Sequence, residues 1–206
     1  MQISKNYKKI ILIVATISLA GITFGITMPL STLTLKSWGV SSTMIGLNSA
    51  MPALSAVLLT PFLPKIMNHW GQRNIIRFCL VLVAICCICL PLFPDLFSWF
   101  ILRFLLGAGA TGIWVLSEVW INAYADDDNR GKIIGAYAAV LSFGFIVGVL
   151  MFSVIGIEDN RAFYIAAGFV IIAAIPVWTI SELPNDEMAD DVSFWQHMVS
   201  SPGLMG

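Results

Sequence analysis

Six long apolar stretches occupy most of this 206-residue chain, at roughly Ile10–Leu35, Thr43–Leu63, Ile75–Phe93, Leu96–Asn122, Ile133–Ile157 and Ala162–Ile180. Each approaches or exceeds the ~20 helical residues that cross a ~30 Å hydrocarbon layer at 1.5 Å rise per residue. Only 11% of residues are charged and 58% are hydrophobic, a balance that excludes a water-soluble core built from the same segments. The expected fold class is therefore an all-α membrane protein with six transmembrane helices. Residues 1–180 form the bundle, and 181–206 form an acidic cytoplasmic linker or tail.

The charges between the spans fix an orientation. Lys5, Lys8, Lys9, Lys65, Arg73, Arg77, Arg130 and Lys132 fall on one side, and only Lys36 and Arg161 on the other. Excess Lys and Arg marks cytoplasmic loops, so both termini are expected in the cytoplasm. Lys8 and Lys9 followed by Ile10–Ala20 imitate a signal peptide. That apolar run is too long and lacks a small-x-small cleavage site, so it is taken as the first span. Trp38, Trp70, Trp99, Trp178 and Trp195 lie near span ends, where an indole is favoured. Cys79, Cys86, Cys87 and Cys89 all fall in the third span without a histidine, and are expected to act as small hydrophobes.

The connections are short: Lys36–Ser42, Pro64–Asn74, Pro94–Asp95, Tyr124–Lys132 and Glu158–Arg161. Consecutive helices must then run up and down beside one another. The third and sixth spans carry almost no hydrogen-bonding side chains and are expected at the periphery, facing lipid. The first, second, fourth and fifth carry the polar and small residues, which in hydrocarbon turn towards other helices or a wet cavity.

Candidate functional residues follow from that polarity. In the first span Thr16, Thr23, Thr27 and Thr34 share one side, either as a cavity wall or bonded to their own i−4 carbonyls. Gly21 and Gly25 lie opposite, as a small-xxx-small pair suited to close helix approach. Asn48 and Ser55 share a face of the second span, where Pro52 and Pro61 are expected to bend the helix. Asn48 serves either a polar solute or an interhelical hydrogen bond.

The fourth span holds Arg103 and Glu118, the ionisable residues most clearly inside an apolar segment. A mid-bilayer charge costs ~2.5–3.5 kcal/mol on insertion scales, so keeping two asks for a reason. Roughly 22 Å apart along the helix, they cannot pair with each other. Arg103, Gly107, Trp114 and Glu118 nevertheless share one face. Arg103 suits an anionic substrate group or a coupling role. Glu118 suits a conformational latch with Arg73, Arg130 or Lys132. In the fifth span Tyr137, Gly144 and Gly148 share a face. Asp126, Asp127 and Asp128 are read as solvated rather than metal-binding, with Asp128 or Asn129 capping the next helix. The expected substrate-binding or coupling residues are Arg103, Thr23, Thr27, Asn48, Trp114 and Tyr137. The expected latch is Glu118, Arg73 and Arg130. No metal, cofactor or nucleic-acid partner is called for.

A membrane enzyme is the competing class. An intramembrane serine protease needs a histidine within its spans, whereas His69 and His197 lie outside them, and the aspartates that a lipid-headgroup transferase carries on helices sit here in a loop.

In order and spacing the chain resembles the N-terminal half of a major facilitator superfamily transporter, and within that the YcaD-like bacterial branch. Arg103, Gly107, Gly109 and Ala110 match the family's Arg-x-x-x-Gly-x-Gly-Ala motif. Trp114, Ser117, Glu118, Asn129, Arg130, Gly131, Lys132, Ala136 and Tyr137 follow the YcaD-like pattern. The loop pattern Gly-x-x-x-Asp-Arg-x-Gly-Arg-Arg/Lys is kept only at Gly71 and Arg73, and Asn68 stands in place of the acid. Gly144 and Gly148 lack the proline of the drug/proton antiporter signature. The resemblance implies two six-helix bundles that rock about a cavity lined by their first, second, fourth and fifth helices. It implies secondary transport of a small solute in the bacterial inner membrane. Expected partners are the lipid bilayer, the solute, and a second six-helix half or a second copy. The chain is then a truncated product or a half needing its complement; a non-transporting scaffold is the alternative.

Overall fold

The computed structural model describes residues 2–124, 129–157 and 160–179, and among these all regular structure is helical. The helices are α1 (Gln2–Ser37), α2 (Ser42–Leu59), α3 (Leu63–Trp70), α4 (Gln72–Leu92), α5 (Leu96–Tyr124), α6 (Arg130–Ile155) and α7 (Arg161–Thr179). They supply six spans long and apolar enough to cross a membrane, α2 and α3 together forming the second. The expected acidic tail, Trp195 and Asp126–Asp128 lie outside the described residues.

Prolines and glycines set the breaks. A 3₁₀ turn at Thr60–Phe62, with Pro61 at its start, bends the second span, whereas Pro52 is carried inside α2. The expected loop at Pro64–Asn74 is mostly helix: α3 runs to Trp70, and Gly71, at φ 74°, makes the turn into α4. Pro64 is tolerated because it falls in the first turn of α3, where a missing N–H costs little. Asn129 stands at the start of α6 as expected, but its side chain makes no capping bond. The Asp95 carboxylate does cap, accepting from the Ser98 backbone N–H at 2.8 Å.

Packing departs from the expectation of two peripheral helices. The third and sixth spans have 50% and 44% of their apolar windows buried, against 22% and 17% for the second and fifth. Helices α1, α4, α5 and α7 pack as a four-helix core, with α2 laid along α5 and α6 along α1 as two wings. Apolar α4 and α7 surface fills the core: Leu80, Val83, Cys86, Cys87 and Leu90 of α4 are buried, with Val83 and Leu90 against α5, and Ala166, Val170 and Ala173 of α7 are buried, with Ala166 and Ala173 against α1. The second and fifth spans are thus the least buried, although Asn48, Ser55 and Tyr137 within them are themselves buried.

Two contacts show why the small residues are spaced as they are. Along the α1–α6 crossing Gly21 meets the backbone of Leu141 and Phe145, Gly144 meets that of Ser18, and Gly25 and Gly148 meet each other. A Cβ on Gly25 would lie 2.9 Å from the Gly148 Cα, and one on Gly148 2.9 Å from the Gly25 Cα. Gly109 and Gly112 of α5 instead make room for side chains of α4, those of Val83 and Cys79. The cysteines behave as expected of small hydrophobes: Cys79, Cys86 and Cys87 are buried and Cys89 is half-buried, all as free thiols. Trp99 is no interfacial anchor. It is fully buried, donates to the Leu90 carbonyl at 2.9 Å, and contacts Trp38 and Phe163. Trp38, Trp70 and Trp178 remain exposed.

Candidate functional site

The threonine stripe of α1 faces α7. Thr16 and Thr23 each donate to their own i−4 carbonyl and also lie within hydrogen-bonding distance of α7 carbonyls, Ala173 at 3.3 Å and Ala166 at 3.1 Å. Thr27 donates to Thr23 and Thr34 to Leu30. Thr23 and Thr27 are fully buried. Their hydroxyls are hydrogen-bonded within α1 and, at Thr23, towards α7.

Arg103 and Asn48 form a second polar cluster. Met28 and Phe24 of α1 meet Arg103 and Trp114 of α5, so these two helices are antiparallel. Helix α2 reverses α1 through the short turn at Trp38–Ser41 and therefore runs parallel to α5. Pro52 and Ser55 of α2 abut Gly107 of α5. One turn earlier on each helix stand Asn48 and Arg103, at one level. Both are buried, at 1% and 0% exposure. The Arg103 guanidinium has one hydrogen-bonding partner, the Met28 sulfur at 3.6 Å, and its Nε and Nη1 have none. Neither polar atom of the Asn48 amide has a partner. Buried groups left unpaired in this way are costly, and functional sites are where such costs persist.

Trp114 and Tyr137 belong to a third region. A cleft of about 340 Å³ opens between α1, α5 and α6, lined by Gly21, Phe24, Trp114, Leu141, Ser142, Phe145 and Ile146. The Phe24 and Trp114 rings lie 5.2 Å apart, inclined at 48°. The close approach at Gly21 brings the α6 backbone near enough for Leu141 and Phe145 to share a wall with α1. One turn beyond Trp114 is Glu118, exposed, and one turn before Leu141 is Tyr137, buried. Glu118 and the Tyr137 hydroxyl lie within electrostatic reach of each other. That hydroxyl and the Trp114 Nε1 have no hydrogen-bond partner.

The four residues expected on one face of the fourth span thus serve three neighbours. Arg103 turns to Met28, Gly107 to α2 and Trp114 to the cleft, with Glu118 exposed one turn beyond Trp114. Of the latch residues, Arg73 adjoins Gln72, which accepts from the Trp120 indole and so sets Arg73 near the level of Glu118. Arg130 begins α6 at the same end and is exposed. Phe24, Met28, Ser142 and Phe145 were not singled out by sequence. Phe24 and Met28 are one turn apart in α1 and face α5, a spacing visible in the sequence but indistinguishable there from ordinary packing.

Comparison with known proteins agrees with this architecture. The Major Facilitator Superfamily model matches residues 12–204. The MFS-type transporter YfkF of Bacillus subtilis is 20% identical over 187 residues, 89% of this chain and 48% of its own length. The MFS-type transporter YcaD of Salmonella paratyphi B is 24% identical over 166 residues, 81% of this chain and 42% of its own. The chain thus spans about half the length of these relatives. The inward-open structure of the xylose transporter XylE from E. coli superposes with a TM-score of 0.71 at 16% identity, covering 96% of this chain and 57% of that one, a likeness of fold. Six apolar spans, the arginine-glycine pattern of α5 and the match along nearly the whole chain lead to one conclusion: this protein belongs to the Major Facilitator Superfamily.

Proposed function

We propose that this chain is one half of a secondary transporter that moves a small solute across a bacterial inner membrane by alternating access, with both termini cytoplasmic. A second six-helix bundle, or a second copy of the chain, completes the solute path. The observation that carries this reading is the cleft between α1, α5 and α6, walled by apolar and aromatic side chains and open on one side. Alternating access needs two bundles moving about one central site, and one bundle leaves that site half-walled.

In this reading Trp114 and Tyr137 are solute-facing. Arg103 and Asn48 lie behind them as a coupling pair whose unmet hydrogen bonds favour rearrangement over rest. Thr23 and Thr27 hold α1 in place against α7 and within its own turns. Glu118, Arg73 and Arg130 are the charged groups grouped towards one end of the bundle.

Accessibility at Ser142 tests the reading. With Cys79, Cys86, Cys87 and Cys89 replaced by serine or alanine and Ser142→Cys introduced, a membrane-impermeant maleimide should label the chain alone. With a second six-helix half present, labelling should depend on the side of addition and on solute. Identical labelling with and without a second half would sink the proposal.

A further inference from the structure

The walls and the floor of the cleft differ in chemistry. None of its lining residues is charged. Glu118 and Tyr137 form the layer one helical turn below Trp114 and Leu141, and they bring the nearest formal charge, a carboxylate. None of the cations stands on the cleft walls. Arg103 lies roughly 16 Å along α5 from Trp114 and is turned to Met28, Lys132 and Arg130 lie roughly 8 and 10 Å along α6 from Tyr137, and Arg73 is on α4 near the level of Glu118. Two polar groups near the carboxylate, the Tyr137 hydroxyl and the Trp114 indole N–H, have no partner.

This arrangement discriminates by charge and by hydration. An anion meets repulsion from Glu118 and finds no cation on the walls. A hydrated inorganic cation would shed water against Phe24, Leu141, Phe145 and Ile146, with the Ser142 hydroxyl the one side-chain oxygen among the lining residues. An organic cation loses little hydration, buries its apolar body, and gains attraction both from the aromatic faces and from the carboxylate. The volume lies at the lower end of the range for small-molecule sites.

We infer that the solute seated here is a lipophilic organic cation, with its apolar body against Phe24 and Trp114 and its charged end towards Glu118 and the Tyr137 hydroxyl. The inference rests on reading the cleft as the solute site. It gives Glu118 the role of charge partner to the solute rather than latch to Arg73 or Arg130.

Binding of radiolabelled tetraphenylphosphonium to the purified 206-residue chain in detergent micelles tests it, with tetraphenylborate as the oppositely charged counterpart. The expected result is saturable phosphonium binding that weakens at least tenfold in Glu118→Gln and in Trp114→Ala, and is largely kept in Glu118→Asp. Micelle unfolding midpoints establish that each variant is folded. Phosphonium binding lost in Trp114→Ala but unchanged in Glu118→Gln overturns the cation assignment while leaving the cleft as a solute site. Saturable, Trp114-dependent borate binding of equal strength does the same. A Glu118→Gln variant that unfolds more readily yet binds normally returns Glu118 to the latch. Absence of saturable binding by either ion removes the cleft reading itself.

Discussion

The α1–α6 crossing makes a quantitative demand. A Cβ placed on Gly25 meets the Phe145 carbonyl oxygen, the Gly148 Cα at 2.9 Å and the Val149 nitrogen at 3.0 Å. One placed on Gly148 meets the Ile22 carbonyl oxygen, the Gly25 Cα at 2.9 Å and the Ile22 carbonyl carbon at 3.0 Å. Every one of these atoms is backbone, so no side chain can swing aside. Comfortable carbon contacts need ~3.5–4.0 Å, and the carbonyl-oxygen contacts are tighter than the Cα ones, so the two helices must part by about 1 Å. A gap of that size forfeits a quarter to a half of each pairwise attraction along the contact. Added to the usual cost of overpacking, Gly25→Ala and Gly148→Ala should each destabilise by about 2–3 kcal/mol. Gly46 and Gly168 are the internal controls, because a Cβ at either meets nothing within 4 Å. Alanine there should be neutral or stabilising by up to about 1 kcal/mol. The double variant Gly25→Ala/Gly148→Ala should cost at least about 1 kcal/mol less than the sum of the singles, since one separation relieves both clashes. Reversible unfolding in mixed dodecyl maltoside and SDS micelles, followed by far-UV circular dichroism, reads all five proteins. If Gly25→Ala and Gly148→Ala fall within about 0.5 kcal/mol of Gly168→Ala, or if the double is additive, the backbone-contact argument fails.

The remaining predictions use the same unfolding assay. Arg103→Met should leave stability unchanged or raise it, because it replaces a buried charge lacking an acidic partner with an apolar chain of similar length; a loss above about 2 kcal/mol would show the guanidinium to be a structural prop. Thr23→Val removes the hydroxyl placed 3.1 Å from the Ala166 carbonyl and should cost about 0.6 kcal/mol, at most about 1.7. Ser31→Ala, whose hydroxyl bonds only the Thr27 carbonyl of its own helix, should cost less than Thr23→Val, and a larger loss would contradict the assignment. Asp95 is exposed, and its hydrogen bonds from Ser98, then from the Phe97 backbone, hold its pKa below 3.8. The depressed value means that its contribution is present above the unfolded pKa and lost as pH falls through the folded one. The unfolding midpoints of the wild type and Asp95→Asn should therefore differ by a constant amount between pH 5 and 7 and converge below about pH 3.8. A gap that persists in acid would refute the capping role.

The membrane spans were legible because hydropathy and length act locally, and six apolar runs admit few other folds. The glycine pairs were legible too, since Gly21/Gly25 and Gly144/Gly148 repeat at intervals that keep small residues on one helix side. What the sequence could not rank was competing use of one side chain. A hydroxyl at Thr23 suits a cavity or a neighbouring carbonyl equally well, and only the approach of α7 decides between them. Trp99 shows the same limit: its position at the start of α5 resembles an interfacial anchor, but the Leu90 carbonyl and the Phe163 ring make it internal. Long-range proximity, not local preference, supplied both answers.

The error about the peripheral helices has a physical cause that bears on function. In a closed bundle, polar and small residues would mark the centre, because lipid rejects them. Here the apolar third and sixth spans are half-buried, whereas the second and fifth, richer in polar and small residues, are the least buried. Apolar surface on α4 and α7 is used to build the core, so polarity on α2 and α6 has to be answered elsewhere. Asn48 answers it at α5 without a hydrogen bond, and Tyr137 keeps a buried, unpaired hydroxyl. In the proposed transporter, a solute and a second set of helices are what would answer such groups beside the open cleft.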